Sequence, residues 1–226
     1  MNIQHPSQGG NPPHSQAGYT LLEGLMAVIV VSVMLLAIGP VISFSVGTRF
    51  QAKRVELATQ AARTYIDGVK SEAIPAPVVI NDSTKKVNGQ DAPTGGSLSC
   101  DNPTNPNLCN NNTLYCVDFD GDKNNDGKPC ETDSSVDMVV QGVGYNASST
   151  DATKGYQLGV RVYRANSFVP GVTIKQPTAN EPLTPDSLTT NSLGNRSLPL
   201  VQMSTEVLPK DATFQNIKDR FETPSP

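Results

Sequence analysis

Gly18-Tyr19-Thr20-Leu21-Leu22-Glu23-Gly24 runs directly into the apolar stretch Leu25 to Val46, and no charged residue occurs from Gly24 to Gly47. At about 1.5 Å per residue, such a run built as a helix is long enough to cross a hydrocarbon core of roughly 30 Å. Glu23 stands at its entrance. An ionised carboxylate in lipid costs about 2.5 kcal/mol or more near the membrane centre, so an acid at the mouth of this helix calls for a partner or a function.

Upstream, Met1 to Gly18 is rich in Gly, Pro, Gln, Ser and Asn, carries no Lys or Arg and has no apolar periodicity. It reads as a leader rather than a domain. A secretory signal places its apolar core before the cleavage site, whereas here the small-residue pair Ala17-Gly18 precedes the core. Cleavage there would leave the membrane helix on the mature chain.

Downstream, Val55, Ala58, Ala62, Tyr65 or Ile66, and Val69 recur at three- and four-residue steps, while Lys53, Arg54, Glu56, Arg63, Asp67 and Lys70 take the opposite face. The pattern predicts that the helix continues, now amphipathic, to about Ala73, where Pro75 and Pro77 stop it. Its first half then serves a membrane or fibre core and its second half packs a sheet. Strands are predicted over Thr113 to Val117, Val136 to Val143, Tyr156 to Arg164 and Leu198 to Val207, the third with Tyr156, Leu158, Val160 and Val162 on one face. Residues Asn81 to Asn112 read as an exposed polar connection, and Gln176 to Ser197 as a loop with little reason to pack. A short amphipathic turn is expected around Phe214, Ile217 and Phe221.

The four cysteines, Cys100, Cys109, Cys116 and Cys130, all fall in one loop-rich stretch. In an exported domain they predict two disulfides, with three connectivities open. A zinc cluster is disfavoured because no CxxC occurs and no histidine follows His14. Between Cys116 and Cys130 lies an acidic loop. Between Asp118 and Asp137 there are seven carboxylates against two lysines, a cluster that repels itself without a counter-ion. From Asp122 the loop reads Asp-x-Asn-x-Asp-Gly, followed after five intervening residues by an acid, Asp133. Calcium takes six to eight oxygens, and this spacing offers Asp122, Asn124, Asp126, the Lys128 carbonyl and Asp133, with Asp118 and Asp120 allowing a shifted register. The loop resembles EF-hand-like and dockerin-like loops without flanking helices. A bridge between Cys116 and Cys130 would close it.

Several function classes are disfavoured. A net charge of −4 with scattered Lys and Arg gives no basic face for nucleic acid. No GxSxG, HExxH or GxxxxGK[ST] motif occurs, and without the leader no histidine remains for acid–base work, so the chain is not expected to be an enzyme. Tyrosines and phenylalanines are few and dispersed, which predicts no platform for stacking sugars.

Gly18 followed by Tyr-Thr-Leu-Leu-Glu resembles the processing site of type IV prepilins and type II secretion pseudopilins, whose usual form is Gly followed by Phe-Thr-Leu-Ile-Glu. The resemblance implies that a prepilin peptidase cuts after Gly18 and that the new amine of Tyr19 is methylated. It also implies that Glu23 neutralises the N-terminal amine of a neighbouring subunit inside a fibre. Pro40 falls where many pilins carry a helix-loosening proline. The stretch Arg54 to Gly68 is similar to cyanobacterial hormogonium polysaccharide secretion pseudopilins, and known pseudopilins often carry calcium.

The same resemblance implies an α+β, pilin-like fold. Residues 1–18 are a cleaved leader, 19–48 the membrane or fibre-core half of the helix, 49–75 its amphipathic half, and 76–226 a β-rich domain braced by disulfides and calcium. The implied function is a structural subunit of a short secretion fibre exporting polysaccharide or protein. Its partners are prepilin peptidase, other pilin-like subunits and an inner-membrane assembly platform. The alternative is a minor pilin or tip adhesin of a surface pilus. The leader departs from the family in lacking basic residues, and Arg49, Lys53 and Arg54 follow the apolar run. By the positive-inside rule this charge pattern favours the opposite topology, while the cysteines and the motif favour a single-pass inner-membrane protein with an exported C-terminal domain.

Overall fold

The computed structural model describes residues 17–121, 129–178, 181–186 and 194–222. Two compact units divide between Val46 and Gly47. Helix α1 covers Ala17–Lys70 with Pro40 inside it. In the first unit every described residue from Thr20 to Val46 is exposed, Leu21 at 76% and Leu36 at 77% among them. Ser32 satisfies its hydroxyl within the helix, on the Val28 carbonyl at 2.7 Å, which lets a polar residue sit in the apolar run at little cost. This helix is long and apolar enough to span a membrane.

In the second unit α1 ends at Lys70, three residues before the predicted stop. Glu72 takes a left-handed φ of 63°. The Ile74 N–H then turns back to the Gly68 carbonyl at 3.0 Å, and the Ile74 side chain folds over Gly68, where a Cβ would overlap it. The backbone reversal, not Pro75, closes the helix.

Strands β1 (Val79–Ile80), β2 (Leu108–Cys109), β3 (Leu114–Val117), β4 (Met138–Tyr145), β5 (Tyr156–Arg164) and β6 (Val201–Val207) form one sheet. Its order is β2-β3-β4-β5-β6, antiparallel throughout, with β1 parallel to β4. The chain is thus α+β, with two disulfides, Cys100–Cys109 and Cys116–Cys130. β5 has the predicted ends. β4 lies two residues later than expected and β6 begins at Val201 rather than Leu198, because Leu200 spends its N–H on the Val162 carbonyl as the chain enters the ladder.

One sheet face meets the second half of α1. Tyr156, Leu158, Val160 and Val162 point there as predicted, with Met138 and Val140, against Leu57, Tyr65, Val69 and the fully buried Ala58, Ala61 and Ala62. The alanines let the helix backbone lie close to the strands, and each buried Val or Leu contributes about 1.5–3 kcal/mol.

The other face differs from the sequence expectation. Residues in the Asn81–Asn112 connection cover it rather than standing in solvent: Val87, Gln90 and Ala92 are buried. A second core forms there from Val139, Tyr163, Phe168, Ile174, Leu183 and all four cysteines. The physical reason is Arg161, which alternation places on this face. It is buried, and its guanidinium donates to the carbonyls of Gln90 at 2.7 Å, Asn88 at 3.0 Å and Val87 at 3.3 Å. The Gln90 side chain donates in turn to the Gly144 carbonyl at 2.9 Å. Backbone carbonyls thereby take up a buried cation.

Described residues of the Gln176–Ser197 loop also pack. Leu183 is buried, and Asp186 forms an ion pair with Arg164 at 3.5 Å with both side chains nearly out of solvent, 6% and 3% exposed. Asp186 further accepts the Asn195 N–H at 2.7 Å. Near the C-terminus the predicted turn is a helix, α2 (Phe214–Glu222), started by Thr213, whose hydroxyl accepts the Asn216 N–H at 3.3 Å.

Candidate functional site

Two regions carry the chemistry anticipated from sequence. The first is the beginning of α1. Gly18 and Tyr19 lie within the helix, and Glu23 is exposed among exposed apolar neighbours. Its carboxylate makes no hydrogen bond or ion pair with any described residue of its own chain. Among the described residues nothing offsets the desolvation of this acid on an apolar, unburied helix. Pro40 sits inside the helix as an interior proline, with the helix continuing on both sides.

The second region is the acidic loop. Asp118, Asp120 and Asp137 converge, with one carboxylate oxygen of each within 4.8 Å of the others. Asp118 directs the backbone inward, accepting the N–H groups of Asp120 at 3.1 Å and Gly121 at 2.6 Å. Gly121 takes a left-handed φ of 69° to make this tight turn. Asp137 holds the two arms of the loop together. One oxygen accepts the Phe119 N–H at 3.2 Å and the other accepts the Glu131 N–H at 3.1 Å. Ser134 donates to Asp120 at 2.8 Å and receives the Asp137 N–H at 3.2 Å. The Cys116–Cys130 bridge closes the loop at its base.

Asp137 is 1% exposed. Burial raises the pKa of its carboxyl, and the negative charges of Asp120 and Asp118 push it the same way, against the two backbone donors. Two solvent-accessible carboxylates beside a buried one form an all-oxygen donor set for a hard cation, and this triad can hold a metal ion.

Of the residues assigned from sequence, Asp118 and Asp120 are brought together. Asp133 is exposed on the turn before Asp137 and is not in the triad. Asp122, Asn124, Asp126 and Lys128 lie outside the described residues. Asp137 belongs to the acidic run but has no place in the ligand spacing, because it directly precedes the apolar strand Met138-Val139-Val140. Its signal is an acid at the mouth of a strand, just after the turn that follows Cys130 and Glu131.

The cysteines pair 100–109 and 116–130, one of the three connectivities open to the sequence and the one that brackets the loop. No protein-family model, no curated protein and no solved structure matches this chain.

Proposed function

We propose that this chain is a pilin-like structural subunit. On this reading it waits in the inner membrane, is cut after Gly18 by a prepilin peptidase and methylated at Tyr19. Assembly then draws it into a short fibre of a type IV pilus or type II secretion-like machine. The observation that carries the proposal is the contrast along α1. The described residues from Thr20 to Val46 are exposed and, Glu23 apart, uncharged and mostly apolar, whereas Leu57, Ala58, Ala61, Ala62, Tyr65 and Val69 are buried in their own domain. The first half therefore buries its side chains against something outside the chain, first lipid and then the helices of neighbouring subunits.

Glu23, which has no partner among the described residues, pairs in this account with the Tyr19 amine of a neighbour. The soluble domain lies on the exported side, where disulfides persist. Calcium is the cation proposed for the triad, which supplies three of the six to eight oxygens that calcium takes. The cargo is polysaccharide or protein.

The test is Glu23→Ala and Glu23→Gln in cells carrying the assembly machine. Both variants should be processed normally and be depleted from sheared or purified fibres by about tenfold or more, on the scale expected for an uncompensated buried charge. Incorporation at the wild-type level would remove the pairing role.

A further inference from the structure

β4 is covered twice along the same edge. β3 pairs with Met138–Gln141 and β1 with Gly144–Tyr145, leaving Gly142 and Val143 without a strand partner there. A groove of about 560 Å³ opens at this gap, within the roughly 300–1,000 Å³ range of small-molecule sites.

Two phenols form its floor. Tyr65 from α1 and Tyr115 from β3 have ring centroids 5.7 Å apart at 52°. The Tyr65 hydroxyl lies against Gly142, where any Cβ would overlap it. Tyr65 is 5% exposed, yet its hydroxyl bonds to no described residue, and neither does that of Tyr115. The Tyr65 hydroxyl is not among the fully buried unpartnered side-chain atoms, so the ring is buried while the hydroxyl opens on the groove, where it can donate to or accept from a ligand.

The rim comes from the turn between β2 and β3. Asn110, Asn111 and Asn112 all take left-handed φ values of 47°, 57° and 66°, a run that asparagine tolerates better than most residues. The turn sets Asn111 and Asn112 on the groove. The Asn111 carboxamide bonds to no described residue, and Asn112 uses only its oxygen, accepting from Asn102 at 2.7 Å.

Charge in the groove cancels locally, because Lys85 donates to both oxygens of Asp91, at 3.1 and 3.0 Å. Pro75, Pro77 and Leu108 supply apolar wall. Asn111 and Asn112 also line a second hollow of about 340 Å³, together with Ser99, Asp101, Asn102 and Pro103, where the Asp101 carboxylate accepts from the Ser99 hydroxyl.

Carboxamides and phenols each donate and accept, which matches hydroxyl groups that also do both. In the groove itself the Lys85–Asp91 pair cancels and favours neither anion nor cation, and apolar wall beside paired rings suits the C–H faces of a sugar ring. Two hollows astride one asparagine ridge suit more than one ring. We infer that the groove between β1 and β3 is a binding site for a neutral oligosaccharide, read by Tyr65, Tyr115, Asn111 and Asn112. This inference is independent of the fibre assignment.

The experiment uses the full chain in phosphatidylcholine nanodiscs, free of glycosidic detergent, on an array of neutral oligosaccharides. The best array ligand is then titrated calorimetrically, with uncharged tetrapeptides as competitors. The comparison variants are Asn111→Gly/Asn112→Gly, which keeps the left-handed backbone while removing both amides, and Tyr65→Phe, which removes one hydroxyl. The inference expects saturable binding, weakened about tenfold or more in each variant, with the melting temperature of the glycine variant close to wild type. Three results would overturn it: no saturable binding by any array glycan up to about 10 mM, a range that covers weak millimolar sites; equal affinity in wild type and both variants; or displacement by the peptides at lower concentration than by free glycan.

Discussion

Arg161 donates to the carbonyl oxygen of Gln90 at 2.7 Å across the face of the sheet turned away from the helix. That contact ties the connection after β1 to the centre of β5 and turns a polar segment into the lid of a second core. Replacing Arg161 with Met would leave the carbonyls of Val87, Asn88 and Gln90 without their donor. The cost should be about 3 kcal/mol or more, each stranded buried acceptor costing about 1–3 kcal/mol. Chemical denaturation should show a lower midpoint, and hydrogen exchange should rise in residues 87–91 before it rises in β5. Uniform loss across the domain would argue against a local clamp.

The bridge Cys116–Cys130 closes a loop with a sequence separation of 14. A cross-link over such a loop is worth about 3 kcal/mol in the chain-entropy account. Cys116→Ser/Cys130→Ser should lower stability by that order and also weaken metal binding, because Asp118 and Asp137 are held by the two arms that the bridge joins. A double variant with wild-type metal affinity would separate the disulfide from the site.

Calcium should raise the melting temperature of the full chain in nanodiscs. At a hundredfold excess over Kd the stabilisation is about 2.7 kcal/mol. Asp120→Asn should lose most of this response while keeping the fold, since Asp120 is exposed. Asp137→Asn should lose it too and relieve buried charge in the metal-free protein. No shift at millimolar calcium would remove the metal from the account.

Buried phenols give the domain an alkaline limit. Burial pushes the pKa of Tyr156 up to about 12, and it raises those of Tyr65 and Tyr163 still further. Below about pH 10 the phenols are neutral both folded and unfolded, so they leave stability unchanged. Above it the unfolded chain ionises first, and stability falls as pH rises. Tyrosinate absorbance should therefore appear in step with loss of the circular dichroism signal. Smooth ionisation of all six tyrosines near pH 10 in a folded chain would contradict the burial.

What was legible in the sequence was whatever repeats with a period. The helix, its division into exposed and buried halves, and the inward face of β5 follow from three- and four-residue steps and strict alternation. What was not legible depends on single long-range contacts. A lone Arg161 gives no sign of the carbonyls it will cap, and Asp186 gives none of its pairing with Arg164. The two-residue strands β1 and β2 are too short to show alternation. That Tyr65 and Tyr115 meet where one helix crosses one sheet is likewise a single long-range contact that their separation in sequence does not reveal. At the acidic loop, charge density marked the region, but Asp137 joined the triad through the return of the chain after Cys130.

The central claim is processing into a fibre subunit, and the most direct measurement is the intact mass of the protein from cells containing a prepilin peptidase. Wild type should lack residues 1–18 and carry one methyl group on Tyr19, while Gly18→Ala should retain the leader. A wild-type mass that still includes residues 1–18, or a Gly18→Ala protein that has lost them, would contradict the account.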